Sequence, residues 1–195
     1  GKGPLKVNRS RIDDNFPLFK SLIKAAAEAG IETFEDSNGY KQDGFGTFDV
    51  TIDGGIRQGV ARAYLEEIKN YQNVLIKHNT DVSKIIFEGK IAKGVEITKG
   101  EKKEIYYANK EVILSAGSIN SPKILQLSGI GDSAILKENG IDVVKDLPGV
   151  GKNLQDHLEI YIQHKSKRKE TLFNLSTNYI TQAIEGIKWF VLKKG

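Results

Sequence analysis

One stretch decides the fold: Val112-Ile113-Leu114-Ser115-Ala116-Gly117-Ser118-Ile119-Asn120-Ser121-Pro122. The short apolar run at its start is typical of a buried parallel strand. Small residues follow, and Ser121 with Pro122 predicts the cap and first turn of a helix. A parallel strand that leads into a helix is the unit of α/β folds, and such sheets bind cofactors at the carboxyl ends of their strands. Small residues at that edge would let a ligand approach the backbone.

Upstream of this stretch, the pattern predicts a run of strands. Apolar residues recur through Val82 to Phe87, Ile91 to Thr98 and Ile105 to Ala108, and glycine-containing turns at Gly89 and Gly100 separate them. Helical periodicity is confined to other parts of the chain and predicts four further helices. These span Pro17 to Ala29, Val60 to about Tyr71, Asp132 to Asn139, and a last segment containing Ile180, Ile184, Ile187 and Val191. The fold class is therefore mixed α/β.

Composition excludes several classes of protein. The chain has 195 residues, 28% of them charged, and a net charge of +4 in which 29 basic residues mix with 25 acidic ones. That mixture favours a solvated surface over a nucleic-acid interface. No apolar run reaches the roughly 18 residues that a membrane-spanning helix needs. The absence of cysteine excludes disulfide frameworks and thiolate metal sites, and three scattered histidines predict no metal centre.

The chain contains no methionine, and its opening Gly1-Lys2-Gly3-Pro4 is unlike a natural start. From this we expect an internal piece of a longer protein.

Two motifs give only weak evidence for a binding or catalytic site. Gly129-Ile130-Gly131-Asp132-Ser133-Ala134 matches G-x-G-x-x-A, but a predicted helix precedes it where a dinucleotide fingerprint needs a strand, so a tight turn between helices is favoured. Asp156 and His157 are neighbours, and adjacent residues of a strand point to opposite faces. His157 is expected to be a hydrogen-bonded residue that fixes a loop, and Leu158, Ile160 and Ile162 predict a half-exposed strand after it.

Two blocks of sequence resemble the glucose–methanol–choline (GMC) oxidoreductases. Residues 117–131, GSINSPKILQLSGIG, are similar to the second signature of that family, with the small, proline and S-G-x-G positions in register. Residues 147–157, LPGVGKNLQDH, resemble the next block. Within the family, the run Leu154 to Gln163 is most similar to choline-oxidising members, and the similarity extends over essentially the whole chain.

The resemblance implies an FAD-dependent alcohol oxidoreductase that moves a hydride from an alcohol carbon to the flavin. By position it implies that the Val82 backbone meets the adenine and that Ser115, Ala116 and Gly117 lie along the adenosine. It assigns no catalytic residue here, since none of His78, His157 and His164 matches the family's catalytic histidine segment. The glycine loop that holds the FAD pyrophosphate is not in this sequence either. No metal is implied.

The resemblance also implies an organisation. Residues 1–55 would belong to the substrate-binding domain, 56–150 to a Rossmann-like FAD-binding domain, and 151–195 to the substrate-binding domain again. Choline, oxidised to betaine aldehyde, is the expected substrate, with a quinone-type electron acceptor and a cytoplasmic or peripheral-membrane location for the parent protein. Three alternatives stay open: another primary alcohol, a non-catalytic module that kept the fold, and a disfavoured nicotinamide-dependent protein.

Overall fold

The computed structural model describes residues 3–9, 17–163, 165, 167 and 177–193. The chain divides into two units, one formed by residues 1–75 and 162–195 and the other by residues 76–161. Among the described residues, no helix combines the length and the hydropathy needed to cross a bilayer. His164 lies outside the described residues, as do three of the five residues of the basic segment 165–169 that follows it.

The first unit consists of short strand pairs and helices. The antiparallel pairs are β1 (Asn8–Arg9) with β4 (Asp49–Val50) and β5 (Ile52–Asp53) with β6 (Ile56–Arg57), and β2 (Thr33–Phe34) pairs in parallel with β3 (Phe45–Gly46). The helices are α1 (Pro17–Glu28), a π-helical turn (Ala61–Leu65) that continues into α2 (Glu66–Ile68), and α5 (Tyr179–Leu192).

Helix α5 is fixed at both ends. The Asn178 side chain accepts from the backbone N–H groups of Ile180 and Thr181, which satisfies donors that the first turn leaves unpaired. Near its other end, Trp189 Nε1 donates to the carbonyl of Gly55 at 2.6 Å. The helix predicted around Ile180 is therefore confirmed. The helix predicted from Pro17 is confirmed as α1.

The second unit is built on an antiparallel sheet in the order β7-β8-β9. Its strands are β7 (Asp81–Glu88), β8 (Ile91–Lys99) and β9 (Lys102–Tyr107). Gly89 and Gly100 take positive φ angles of 57° and 62° in the two connecting turns, which is why glycine stands there. The three predicted strands are confirmed.

Helix α3 (Gly117–Leu127) packs against β7 and is followed by a small parallel pair, β10 (Ile130–Gly131) with β11 (Lys145–Asp146). Helix α4 (Ser133–Glu138) lies between those two strands in the sequence, with Asp132 as its cap. The buried hydrophobic residues of this unit, among those described, are Ile85, Ile97, Ile124 and Leu136.

Three local predictions were wrong. Val112–Leu114 is not a strand, because a strand requires a neighbouring ladder of hydrogen bonds and no described strand pairs with this segment. The segment is not buried either, since Ile113 is 77% exposed. Residues 158–162 are likewise unpaired and exposed. Helix α3 begins at Gly117, not at Ser121, so that Pro122 lies inside the helix.

Candidate functional site: a cavity between β7 and α3

A cavity of about 730 Å³ lies between the beginning of β7 and helix α3. The strand contributes Val82 and Ser83, and the helix with its cap contributes Ala116, Asn120 and Ile124. A volume of this size is within the usual range for small-molecule and cofactor sites, roughly 300–1,000 Å³.

The structure brings two of the four predicted cofactor residues to this cavity. Val82 and Ala116, which are distant in the sequence, both line it. Ser115 and Gly117 flank Ala116 in the chain and are not among the lining residues. Gly117 has a φ of +83° with open space where a side chain would begin, so its backbone conformation favours glycine and crowding does not.

The Ala116 wall is held by a local hydrogen bond. The backbone N–H of Ala116, the N-cap position of α3, donates to Ser121 Oγ at 3.0 Å. Ser121 therefore serves the start of the helix from within it, because its hydroxyl satisfies an N–H that the helix itself leaves unpaired. Ser121 was predicted to be the N-cap residue itself. It lies instead inside α3 and accepts from the N–H of the N-cap residue, Ala116.

The β7 wall is anchored across the hairpin. Ser83 Oγ lies 2.6 Å from Thr98 Oγ1 on β8. The pairing register shifts between Val82 and Lys84, which marks a bulge at this point of the strand. The bulge changes the alternation of side chains beside the cavity.

A charged group on the cavity wall was missed by sequence reasoning. Glu96 on β8 is 15% exposed and lies between Lys84 Nζ at 3.9 Å and Lys103 Nζ at 3.6 Å. All three residues line the cavity. Pairing β7 with β8 about the Gly89 turn places Lys84 opposite Glu96, so the hairpin register was the signal that could have found this cluster.

A second cavity, of about 740 Å³, lies on another side of α3. It brings the two family-like blocks together, since Ser118 and Lys123 from the first block line it with Lys152 and Asn153 from the second. Gln126 Nε2 donates to the Val150 carbonyl at 3.3 Å and ties the blocks to each other.

The remaining candidate residues lie elsewhere. Asp156 Oδ1 accepts from the His157 backbone N–H at 2.8 Å, and neither residue lines either cavity. The side chains of His78 and His157 are exposed. Within the described part of the chain, no group of three or more potential ligands is placed to hold a metal ion.

The cap of α4 carries a perturbed carboxyl group. Asp132 Oδ2 accepts from Lys152 Nζ at 3.1 Å, and Oδ1 accepts from the Ala134 backbone N–H. The Lys152 hydrogen bond, followed by the Ala134 N–H, holds the pKa of Asp132 below its usual 3.8. The ion pair also anchors Lys152 beside the second cavity.

The pair predicts a dependence on acid pH. Because the pKa of Asp132 is lower in the folded state, its ionised form contributes stability above about pH 3.8, and that contribution is lost as the pH falls through the lowered value. Asp132→Asn keeps a capping side chain and removes the charge. We therefore expect the difference in unfolding free energy between the two proteins to shrink below pH 3.8.

The measurement is a carboxyl-carbon NMR titration of Asp132 combined with urea unfolding across the acid range. In Lys152→Gln the pKa of Asp132 should move upward toward the ordinary value, since the first cause of the shift is removed. An Asp132 that titrates at or above 3.8 in the unsubstituted protein would contradict the assignment.

The described helices and strands define a mixed α/β protein, with a cavity between a sheet and the start of a helix. The sequence profile of the GMC oxidoreductases matches residues 2–159. The chain belongs to the GMC oxidoreductase family. This confirms the mixed α/β class and the expectation of a part of the family's Rossmann-like domain.

Named relatives agree with this membership. The chain is 47% identical over 193 residues to an oxygen-dependent choline dehydrogenase of Brucella ovis and 42% identical over 195 residues to one of Photobacterium profundum. These alignments cover 99% and 100% of this chain but 34% of each relative. The chain thus spans about a third of the length of these relatives.

Solved structures show the same fold. An FAD-dependent oxidoreductase from Chaetomium thermophilum aligns with a TM-score of 0.90 and 33% identity, over 100% of this chain and 34% of its own. Pyridoxine 4-oxidase from Mesorbium loti aligns with a TM-score of 0.67 and 25% identity, over 75% of this chain and 29% of its own.

Proposed function

We propose that this chain forms the adenosine-binding part of an FAD-dependent alcohol oxidoreductase. The observation that carries the proposal is the single cavity lined by both Val82 and Ala116. These are the residues at which the family resemblance implies contact with the adenine and with the adenosine. Family membership supports FAD as the cofactor.

The walls of the cavity fit a nucleoside. Ala116 is small, so a ligand can approach the helix start closely. The bulge at Val82 and Lys84 alters the local backbone pairing on the facing wall. On the cavity wall, Lys84 and Lys103 offset the negative charge of Glu96.

The proposed organisation follows the family pattern. Residues 56–150 would form part of the FAD-binding domain, and residues 1–55 and 151–195 parts of the substrate-binding domain. The flavin would supply a two-electron acceptor for the hydride of an alcohol carbon. Val82 and Ala116 would bind and orient the adenosine, with Ser115 and Gly117 fixing the backbone on either side of Ala116.

Choline is the proposed substrate, because the whole chain is 42–47% identical to proteins named as choline dehydrogenases. We propose a quinone-type electron acceptor, with oxygen as the alternative because these relatives are named as oxygen-dependent. A GMC dehydrogenase for another primary alcohol is the second candidate, since several solved relatives that share the fold carry other names, such as pyridoxine 4-oxidase and formate oxidase.

A non-catalytic module is the alternative from a different class. The coding DNA on both sides of this segment discriminates between the two. An enzyme requires a strand, a G-x-G-x-x-G loop and a helix upstream, together with a histidine-bearing segment downstream. If stop codons closed the reading frame at both ends, the module would be the better interpretation.

The site is tested by filling the cavity in the complete gene product. Ala116→Phe should weaken FAD binding by at least about tenfold, because the ring occupies space that the adenosine needs. Ala134→Phe, on the exposed surface of α4, is the matched control and should bind FAD as the unsubstituted protein does. Binding is measured by quenching of flavin fluorescence.

The same proteins are assayed with choline and a dye acceptor. We expect turnover by the complete gene product and none by the 195-residue chain alone, which should bind FAD weakly or not at all. Unchanged FAD affinity in Ala116→Phe would overturn the site, while a complete gene product that binds no FAD would overturn the function.

A further inference from the structure

Ser128, at the end of α3, is the one buried polar or charged residue among those described, with an exposure of 7%. Its hydroxyl has two partners. It donates to the Ile124 carbonyl at 2.5 Å and accepts from the Ile85 backbone N–H at 2.8 Å. The first bond stays within the helix, whereas the second joins the helix to strand β7.

The N–H of Ile85 needs this partner. Strand β7 is at the edge of the described sheet, so its outward-facing N–H groups have no ladder to join. Ile85 is itself buried, and a buried N–H without an acceptor is strongly unfavourable. The Ser128 hydroxyl therefore does for Ile85 what a neighbouring strand would do.

The bond joins the two walls of the proposed adenosine cavity. Ile85 directly follows Lys84, the last β7 residue that lines the cavity, and Ser128 directly follows Leu127, the last lining residue of α3. Because the register of β7 shifts between Val82 and Lys84, pairing with β8 is irregular just where the cavity lies. The Ser128 bond therefore ties the strand to α3 one residue beyond the bulge.

We propose that Ser128 is a positioning residue for the cofactor: its bond to Ile85 sets the separation of β7 and α3, and so the width of the adenosine cavity. Ser128 does not line the cavity and acts only through the two elements that it joins. The proposal rests on the proposed function, since it concerns the same cavity.

The test uses Ser128→Ala and Ser128→Thr in the complete gene product, stripped of flavin and then titrated. Three probes are compared: FAD, ADP as the adenosine half, and FMN as the flavin half. Ser128→Ala should weaken FAD and ADP alike, by about tenfold, because it orphans the Ile85 N–H, and it should leave FMN unchanged. Ser128→Thr restores the hydroxyl and should recover most of the affinity.

Ser133→Ala is the matched control, because the contact that Ser133 makes is a backbone N–H donated to Asp146. It should bind all three probes as the unsubstituted protein does. A Ser128→Ala protein that melts at a lower temperature but binds FAD and ADP with unchanged affinity would overturn the proposal, as would an equal loss for FMN. If Ser128→Thr fails to fold, the ratio of the ADP loss to the FMN loss in Ser128→Ala still decides.

The outcome is separable from that of the proposed function. If FAD binding responds to Ala116→Phe and not to Ser128→Ala, the cavity is the site and Ser128 has no positioning role. If the gene product binds neither FAD nor ADP, the proposed function itself fails.

Discussion

Gly129→Ala should lower the free energy of unfolding of the second unit by roughly 2–5 kcal/mol, the sum of backbone strain and a steric collision. Gly129 has a φ of +84°, a conformation that residues with a side chain rarely adopt. A Cβ atom there would lie 2.3 Å from the Asp142 carbonyl oxygen and 2.9 Å from Val144 Cγ2.

The added Cβ would collide with a segment whose backbone is itself hydrogen-bonded to Gly129. The Gly129 carbonyl accepts from the Val144 N–H at 2.8 Å and from the Lys145 N–H at 3.1 Å. Moving residues 142–145 away from a new methyl group would stretch those bonds and disturb the pairing of β10 with β11. The site therefore has little freedom to relax.

Gly140→Ala is the matched control, since Gly140 has a φ of +69° and nothing within 4 Å of an added Cβ. It should cost only the conformational part, about 1–2 kcal/mol. The chain's one tryptophan, Trp189, belongs to the first unit, so tryptophan fluorescence does not report on unfolding of the second. Amide hydrogen exchange in β8 is therefore the measurement. Equal losses of unfolding free energy in the two variants would show that the steric collision at Gly129 does not contribute to the destabilisation.

Much of the second unit was predictable because its signals are local. The hairpins of β7, β8 and β9 follow from period-two alternation and from glycines in turns that need positive φ. The Gly129–Gly131 segment was predicted to be a tight turn between helices; it does connect α3 to α4, but Ile130 and Gly131 form strand β10. Helix α4 follows from Asp132 and its capping geometry.

The failures have two physical causes. Val112–Leu114 has the composition of a buried strand, but strand formation depends on a partner that the local sequence does not encode, and no described strand pairs with it. The start of α3 was misplaced because Ser121 caps from inside the helix, a contact that propensity rules do not distinguish from an ordinary N-cap.

The candidate site was predictable only in part. Val82 and Ala116 were nominated by family resemblance, and the structure places both at one cavity. The hydrogen bond between Ser128 and Ile85 depends on how α3 packs on β7, and that packing cannot be predicted from sequence spacing. The Glu96 cluster depends on hairpin register, which the turn at Gly89 makes accessible to reasoning.

The core of the second unit offers the other large effect. Leu136 on α4 is 1% exposed, the most completely buried large side chain among the described residues. Its side chain lies under β10, where a Cβ on Gly131 would come within 3.6 Å of Leu136 Cδ2. Truncation would therefore remove a contact between α4 and strand β10.

Leu136→Ala is expected to lower the free energy of unfolding of this unit by about 2–5 kcal/mol, which combines lost burial with the cost of the cavity left behind. Ile135→Ala is the control: the neighbouring side chain is 44% exposed, so its removal should cost less than about 1 kcal/mol. Both are measured by amide hydrogen exchange in β8 and by urea unfolding followed by circular dichroism. A loss at Leu136 no larger than at Ile135 would mean that α4 adds nothing to the stability of the sheet and α3. The proposed cofactor cavity would then be held by the Ser128 junction without support from the α4 side of the unit.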